Sequence, residues 1–586
     1  MTARPVVAVV PFGARAGGPV SGAWARQLAR RLVDRFAGEP ALELRPVFLV
    51  AMPEATSDAG YLVFGSSPAP DLAAGYAESL GASHALTATL REEGARRALD
   101  LVLVEVRTRQ AAATTTLDIP GGTLHEVEPR AAAWLASALD IRPVTDVSTP
   151  VVATEAAYTT LLEAMDEEVN ATLLRQNDPA AADAALERAL AGHLAAARAD
   201  PASATPEERI LVLAAESIDR GSMAAEIAAL EQLTEARPRA WRAHYLLGQL
   251  RTETGDTNGA ILAFEHAHAV RPLPDPDIVR LAELYANAGA VAPALAHLRR
   301  IAAGSAAYGQ AQELLAIIAF QRGDLTAGEE AFRRAVGAGT TSWELHAAHG
   351  AARHARGETA EAASRYRDAL AAGGPAVVRL NLARVLLAMG EREAALRELD
   401  ALLATERAGE VAGLARRLRF GLIDPQLERE LERAGQAALA GDMAALDDAA
   451  AVFARVLASD PDLWEAHFGL GIVARQRADA AAAERAFRHV LELWPDQPDA
   501  LHELGVALLM RDDRPAALAA LDRAAALRPD DAAYVADAGF AHLRAGDLAT
   551  ARLQLERAAG LDAQDPITTS YLVELGRAEA EARRHG

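Results

Sequence analysis

The sequence predicts a mainly α-helical protein, an α-solenoid of helix–turn–helix units preceded by a small α/β domain. Three observations carry this reading. Gly221, Gly255, Gly289, Gly323 and Gly357 recur at intervals of 34 residues, with Gly390 following at 33, and a fixed period of this length is the mark of stacked repeats. Hydrophobic residues make up 51% of the chain but aromatics only 5%. The apolar content is therefore mostly Ala and Leu, which favours helix–helix packing over a β-rich core. Residues 1–141 behave differently, changing their hydrophobic period several times as a mixed domain does.

At 586 residues the chain is too long for one core, and either several domains or a repeat array is required. The net charge is −22, yet residues 1–150 hold 14 Arg against 16 Asp and Glu, so the acidity lies in the repeats. Such a surface disfavours nucleic acid and anionic membranes, which are bound through basic residues at phosphates. No cysteine and no lysine occur. Disulfides, thiolate metal sites, cysteine nucleophiles, Schiff-base lysines and the lysine of a phosphate loop are thereby excluded. No stretch approaches the ~20 apolar residues needed to cross a bilayer. The opening apolar run, broken by Pro11 and Gly13, reads as a buried strand rather than a secretory signal. The expectation is a cytoplasmic protein without membrane insertion.

In the amino-terminal domain, Val6–Val10 is a continuous apolar run, as in a strand covered on both faces. Trp24, Leu28, Leu32 and Phe36 then form one helical stripe within residues 20–37. Leu42–Val50 reads as strand, Leu72–Leu80 as helix and Ala85–Leu90 as strand. Leu99–Arg107 and the Thr-rich Ala112–Ile119 follow as strands, and Pro129–Leu139 as a helix whose proline suits the first turn. This order implies an α/β sandwich with a mixed sheet. The Val7–Phe12 run, the helix after it, and the stretches Gly81–Arg91 and Leu101–Arg109 resemble the TolB amino-terminal-like domain of bacterial multi-domain proteins. That resemblance implies an accessory interaction domain and no enzyme. Thr114–Asp118 stands where relatives often carry aromatics. Between the first strand and helix, Gly13 to Gly18 has the spacing of a phosphate loop, but Pro19 and Val20 occupy the Lys and Ser/Thr positions, so a connecting turn is expected instead of a nucleotide site. Two prolines and several Thr and Ser within residues 142–154 mark a linker.

The repeats explain themselves position by position. In the unit starting at Trp464, Gly471 sits mid-way along the first helix and lets the second approach closely. Ala483 is small for the same reason, Phe487 and Val490 fill the space between units, and Pro495 stops the second helix. In the unit starting at Trp241 the same roles fall to Gly248, Ala260, Phe264, Ala267 and Pro272. This small–large pattern resembles the tetratricopeptide repeat, and implies about eleven units in two blocks. The first block is residues 155–409, beginning with a longer divergent unit at 155–201 and continuing in regular units from 207. The second is 428–565, and residues 566–586 form a capping helix with a polar face. Glu226 and Gly328 occupy the usual small-Ala position, so looser packing is expected in those two units. Residues 410–427 break register and read either as a hinge or as an inserted helix that keeps the stack continuous. Arg416, Arg417 and Arg419 beside them read as a solvated face.

Stacked helix pairs present a concave face lined by the first helix of each unit. In the resembling family, ligand peptides lie along it at the second, fifth, ninth and twelfth positions. Carried over, these give Phe468, Ile472 and Arg475, then His502, Val506 and Leu509, then Phe540 and Leu543. The resulting apolar stripe fits an amphipathic helix or extended segment of a partner protein, unless the closing helix or self-packing covers it. Units nearer the middle offer polar residues instead, among them Arg242, Tyr245, Gln249 and Glu313. Asn381 with Arg384 is only a fragment of the clamp by which some relatives hold carboxy-terminal acidic peptides. His346 and His349, three apart on one helix, with His354 beyond, invite a metal reading. His244, His346 and His467, however, share the fourth position of their units, which marks a structural slot. No metalloprotease, nucleophile-elbow or dinucleotide motif is present. The sequence therefore points to a non-catalytic adaptor without cofactor or metal, with the amino domain as a second contact or oligomerisation module. The alternative is a sensor whose amino domain binds a small molecule and controls partner access.

Overall fold

Strand β1 (Val6–Val9) is apolar throughout because it is covered twice. Val7 and Val9 turn into the larger core and Ala8 and Val10 into a second, smaller one. The computed structural model that shows this describes residues 4–15, 19–47, 67–93, 96–121, 123–144, 146–220, 223–441 and 443–585. It divides into two compact units, Met1–His297 and Leu298–Gly586.

In the first unit β1 is followed by β2 (Gly13–Arg15), α1 (Pro19–Arg35), β3 (Glu43–Pro46), α2 (Pro70–Ser79), β4 (His84–Glu93), β5 (Arg96–Glu105), β6 (Gln110–Ile119) and α3 (Val127–Ala138). The sheet runs β3-β1-β4-β5-β6, with β2 pairing beside β1 on β4. β1 is parallel to β3 and β4, whereas β4, β5 and β6 form an antiparallel meander. The expected mixed sheet is present, and β2 is an addition to it. The glycine-rich turn at residues 16–18, residues 48–50 of the expected second strand, and Gly221 lie outside the described residues. α2 covers the smaller core, while α1 and α3 cover the larger.

Eight helices complete the first unit: α4 (Glu155–Leu174), α5 (Pro179–Ala199), α6 (Thr205–Arg220), α7 (Ala224–Ala236), α8 (Trp241–Glu253), α9 (Thr257–Val270), α10 (Asp275–Asn287) and α11 (Val291–Leu298). α4 belongs to the core of the α/β domain, into which it inserts Tyr158, Leu161, Leu162 and Met165. Carboxylates fix this docking. Glu128 of α3 is fully buried and accepts from Arg35 Nε (2.8 Å) and the Tyr158 hydroxyl (2.7 Å). Asp166 of α4 accepts from Arg26 and Gln27 of α1. Glu155 accepts from Arg97 and from the Leu124 amide. The proline-bearing segment 142–154 is packed as well: Val147 and Val152 are buried in the same core, and the Ala153 amide donates to Asp200 (2.7 Å).

The second unit repeats one supersecondary element. Its pairs are α12 (Tyr308–Gln321) with α13 (Leu325–Gly337), α14 (Trp343–Ala355) with α15 (Thr359–Ala371), and α16 (Ala376–Ala388) with α17 (Arg392–Thr405). A single helix α18 (Glu410–Ile423) follows. Then come α19 (Pro425–Ala440) with α20 (Leu446–Ser459), α21 (Trp464–Gln476) with α22 (Ala480–Leu493), α23 (Pro498–Met510) with α24 (Arg514–Leu527), and α25 (Ala532–Ala545) with α26 (Leu548–Leu561), closed by α27 (Pro566–His585). A Cβ placed on Gly471 would lie 2.5 Å from the Phe487 ring, and one on Gly539 2.8 Å from Leu555. The glycine is what allows the two helices of a pair to cross. Gly328 departs from the expected looseness. The Phe320 ring occupies the space beside it and stacks at 4.5 Å on His349, so the unit compensates its missing methyl with an aromatic. Glu226 is likewise buried.

The turn inside each pair has its own chemistry. Gly323, Gly357 and Gly390 adopt φ of 76°, 79° and 78°, the left-handed conformation that ends a helix. The next residue takes the N-cap position of the second helix; Asp324 caps by accepting from the Ala327 amide, whereas Glu358 and Glu391 make no side-chain cap. In the later pairs the left-handed position is filled by Ala478 (φ 60°), Asp512 (φ 59°) and Gly546 (φ 86°), followed by the caps Asp479, Asp513 and Asp547. Residues 410–427, expected to break register, hold α18 as a helix with two faces, then Asp424, which caps the start of α19 by accepting from the Leu427 amide. Ala415, Leu418 and Leu422 pack with α16 and α17, and Phe420 packs with α19 and α20.

Two outcomes follow. Ala478→Gly relieves a left-handed alanine and is expected to stabilise the second unit by about 0.5–1 kcal/mol, with Asp512→Gly gaining less because aspartate tolerates that conformation; denaturant titration compares them. Glu128→Ala leaves Arg31 and Arg35 without their buried counter-charge. It is expected to cost about 3–5 kcal/mol, with hydrogen exchange rising first in α1 and α4.

Candidate functional site

Two clefts open on the face that the first helices of the second unit line. The larger, about 670 Å³, lies between α12, α14 and α16. Its floor is alanine, from Ala347, Ala348, Ala351 and Ala355 on α14, and its walls carry Ile317, Trp343 and Tyr366. Gln321, Glu344, Arg356 and Asn381 supply polar groups at the rim. Small side chains on α14 leave room close to the backbone, and the aromatic walls offer apolar area at little entropic cost.

A smaller cleft, about 190 Å³, lies between α19 and α21. Leu431 and Leu439 form one wall, Phe468 the other, and Phe453 and Ile472 the base. Its end is charged. Arg417 of α18 reaches Glu428 (3.4 Å), Glu432 (3.2 Å) and Glu465 (3.8 Å), so three carboxylates share one guanidinium. Glu465 Oε2 is inaccessible and has no hydrogen-bond partner. Burial therefore pushes its carboxyl up to about 7, against the weaker opposing effects of its own backbone amide and Arg417. Of the arginines expected to form a solvated face, Arg419 pairs with Asp400 at the surface (2.6 Å), but Arg416 is buried and donates to the Arg407 carbonyl (2.7 Å), and Arg417 lines the cleft.

Of the residues expected to form an apolar stripe, Phe468 and Ile472 share this small cleft, but Ile472 is only 1% exposed and acts as its base. Leu543 is 8% exposed and sits in the core between α25 and its neighbours. Phe540 is part-buried and stacks at 4.3 Å on Tyr571 of α27, so the closing helix covers it. Arg475 is ion-paired with Glu503 (2.6 Å). His502 hydrogen-bonds Asp537 (2.7 Å), which also accepts from the Tyr571 hydroxyl (3.0 Å). Burial alone lowers the His502 pKa, but Asp537 raises it above the ordinary value. Val506 and Leu509 are half-buried, and Leu509 packs against the cores on both sides. The stripe is thus interrupted, and the carboxy-terminal part of this face carries paired polar groups: Arg475 with Glu503, and His502 and Tyr571 with Asp537. The signal available in the sequence was the second position of the units, held by the acids Glu465 and Asp499. Nothing in the spacing marked the alanines of α14 as a floor.

The histidines act within the packing. His244 and His467 hydrogen-bond the carbonyls of Pro238 (3.1 Å) and Pro461 (2.8 Å), the same contact in two units. His346 lies edge-on to Phe332, and His349 Nε2 accepts from Arg353 Nε (3.2 Å). Among the described residues no group of three His, Cys, Asp or Glu is arranged to hold a metal ion, and no helix is long and apolar enough to cross a membrane.

Two tetratricopeptide-repeat family models match this chain, one over residues 353–418 and the other over 226–272, 435–498 and 473–532. Over these residues the helix pairs match the tetratricopeptide repeat. Among solved structures, the chain is similar to a tetratricopeptide repeat protein from Parabacteroides merdae ATCC 43184, at 18% identity over 46% of this chain and 98% of that one, with a TM-score of 0.21. It is similar to YrrB, described as a TPR protein with an unusual peptide-binding site, at 17% identity over 33% of this chain and 90% of that one, with a TM-score of 0.21. The TPR domain of P58(IPK) matches at 16% identity over 61% of this chain and 98% of its own, with a TM-score of 0.20. No curated protein sequence matches. Both clefts are lined chiefly by the first helices of tetratricopeptide repeats, a fold that typically serves as a scaffold for protein interaction.

Glu465 gives the second unit a pH dependence of known sign. Its folded pKa, about 7, lies above the value of an unfolded glutamate. The stability it contributes is therefore full below about pH 4.5 and is lost as pH rises through 7. Glu465→Gln is expected to remove this slope and to stabilise the unit at pH 8 by on the order of 3 kcal/mol, read from melting curves at pH 5 and pH 8.

Proposed function

We propose that this chain is a non-catalytic scaffold that binds segments of partner proteins on the face lined by the first helices of its repeats. The observation that carries the reading is the alanine-floored cleft between α12, α14 and α16. At about 670 Å³ with apolar walls and a polar rim, it has the dimensions and lining of a binding groove. The residues lining both clefts include no serine, threonine, cysteine or histidine, so neither pairs a nucleophile with an imidazole base, which supports docking over catalysis. A preformed groove on packed helices lets a partner bind with little ordering cost on the receptor side.

The α/β domain enters this reading as a fixed platform. It is read as TolB amino-terminal-like, in a bacterial cytoplasmic protein, and its strand–helix order supports that assignment. Because it shares a core with α4, it is expected to act as a second contact surface carried rigidly on the first helix pair.

The test is site-specific photocrosslinking in the native host, with the probe at position 351 on the cleft floor or at position 367 on the second helix α15. Discrete partner segments are expected from position 351 and not from 367. Equal capture at both positions, or none at 351, contradicts the reading.

A further inference from the structure

We propose that the cleft between α19 and α21 is an anchor subsite that takes an arginine or lysine side chain, flanked by apolar residues, from a partner segment. The proposal rests on the reading that partner segments lie along the first-helix face, and it names what one part of that face selects.

Size comes first. A cleft of about 190 Å³ is smaller than the roughly 300–1,000 Å³ of small-molecule sites, and suits a single inserted side chain. Its walls are apolar for most of their length, from Leu431, Leu439, Phe468 and Ile472. They match the methylene stem of a long basic residue, whose charged head then meets the charged lining at Arg417, Glu432 and Glu465.

Charge decides the sign of that head. Three carboxylates, Glu428, Glu432 and Glu465, surround Arg417. Glu465 is the least compensated: its contact with Arg417 is the longest of the three, and its Oε2 has no partner. A cation entering the cleft would add a second positive charge beside these carboxylates, whereas an anion would meet a net negative wall. The groups facing Glu465 are Arg417 from α18, Glu432 from α19 and Asp460 from the turn before α21. Among these groups Arg417 is the single cation, set against the acids Glu428, Glu432, Glu465 and Asp460.

The flanking preference comes from the rim. Leu439 lines the cleft and is 61% exposed, so it offers apolar surface at the mouth, where a residue neighbouring the anchor would rest.

Panning a random 12-residue phage-displayed peptide library over the full chain tests this. Selected peptides are then titrated by fluorescence anisotropy against the wild type, Glu465→Gln and Ala351→Glu. The expected peptides carry Arg or Lys beside Leu, Ile or Phe. Their affinity should fall about tenfold or more in Glu465→Gln. Replacing the peptide arginine with citrulline should cost the same, with no further loss when both changes are combined. Wild-type affinity should also weaken from pH 8 to pH 6, as Glu465 takes up a proton, and Glu465→Gln should not show this. Peptides that respond to Ala351→Glu but ignore Glu465→Gln and citrulline would overturn the anchor and leave the docking face standing. An absence of binders, or binders indifferent to both variants, would remove both.

Discussion

The contact on which the rest of the second unit depends is a glycine on the first helix of a pair set against a large side chain sixteen residues later. Gly471 with Phe487 and Gly539 with Leu555 are two instances. The glycine removes the Cβ that would hold the helices apart, and the large residue fills the space created. Because this crossing recurs at a fixed interval, the first helices line one face in register. Both clefts open on that face, and their contents differ with the side chains each unit presents. Alanines on α14 open a wide floor. Phe453 and Ile472 close the base of a narrow cleft ending at Glu465.

The amino-terminal unit is organised by a different device. Its sheet is covered on both faces, and one covering helix, α4, is also the first helix of the array. Buried carboxylates at Glu128 and Asp166, with the part-buried Glu155, tie that helix to α1, α3 and β5. Such groups add less net stability than geometric definition. Removing one partner strands a charge, so the helix has one satisfied position against the sheet.

Much of this was legible in the sequence because it depends on local spacing. The 34-residue interval fixed the helix pairs, the continuous run at Val6–Val10 gave a doubly covered strand, and the order of periods gave the mixed sheet. What was missed depends on side chains meeting across helices. Ile472 and Leu543 sit at positions expected to be open, yet each is buried against adjoining helices. Phe540 is covered by Tyr571, some thirty residues away in sequence. The proline- and threonine-rich segment before α4 signals irregular backbone, but composition carries no information about packing, and Val147 and Val152 are in the core. The left-handed turn position was visible where glycine holds it and hidden where Ala478 and Asp512 do.

On the proposed reading the two clefts would divide recognition between them: a broad apolar floor open to many segments, and a narrow charged anchor that favours few. Contacts of both kinds along one preformed face would combine as linked weak sites do. The measurement that tests this most directly is hydrogen–deuterium exchange of the full chain, alone and with a partner segment recovered by crosslinking at position 351. Protection is expected in α12, α14, α19 and α21, with α15 and α22 unchanged. Protection confined to the second helices, or to the α/β domain, would contradict it.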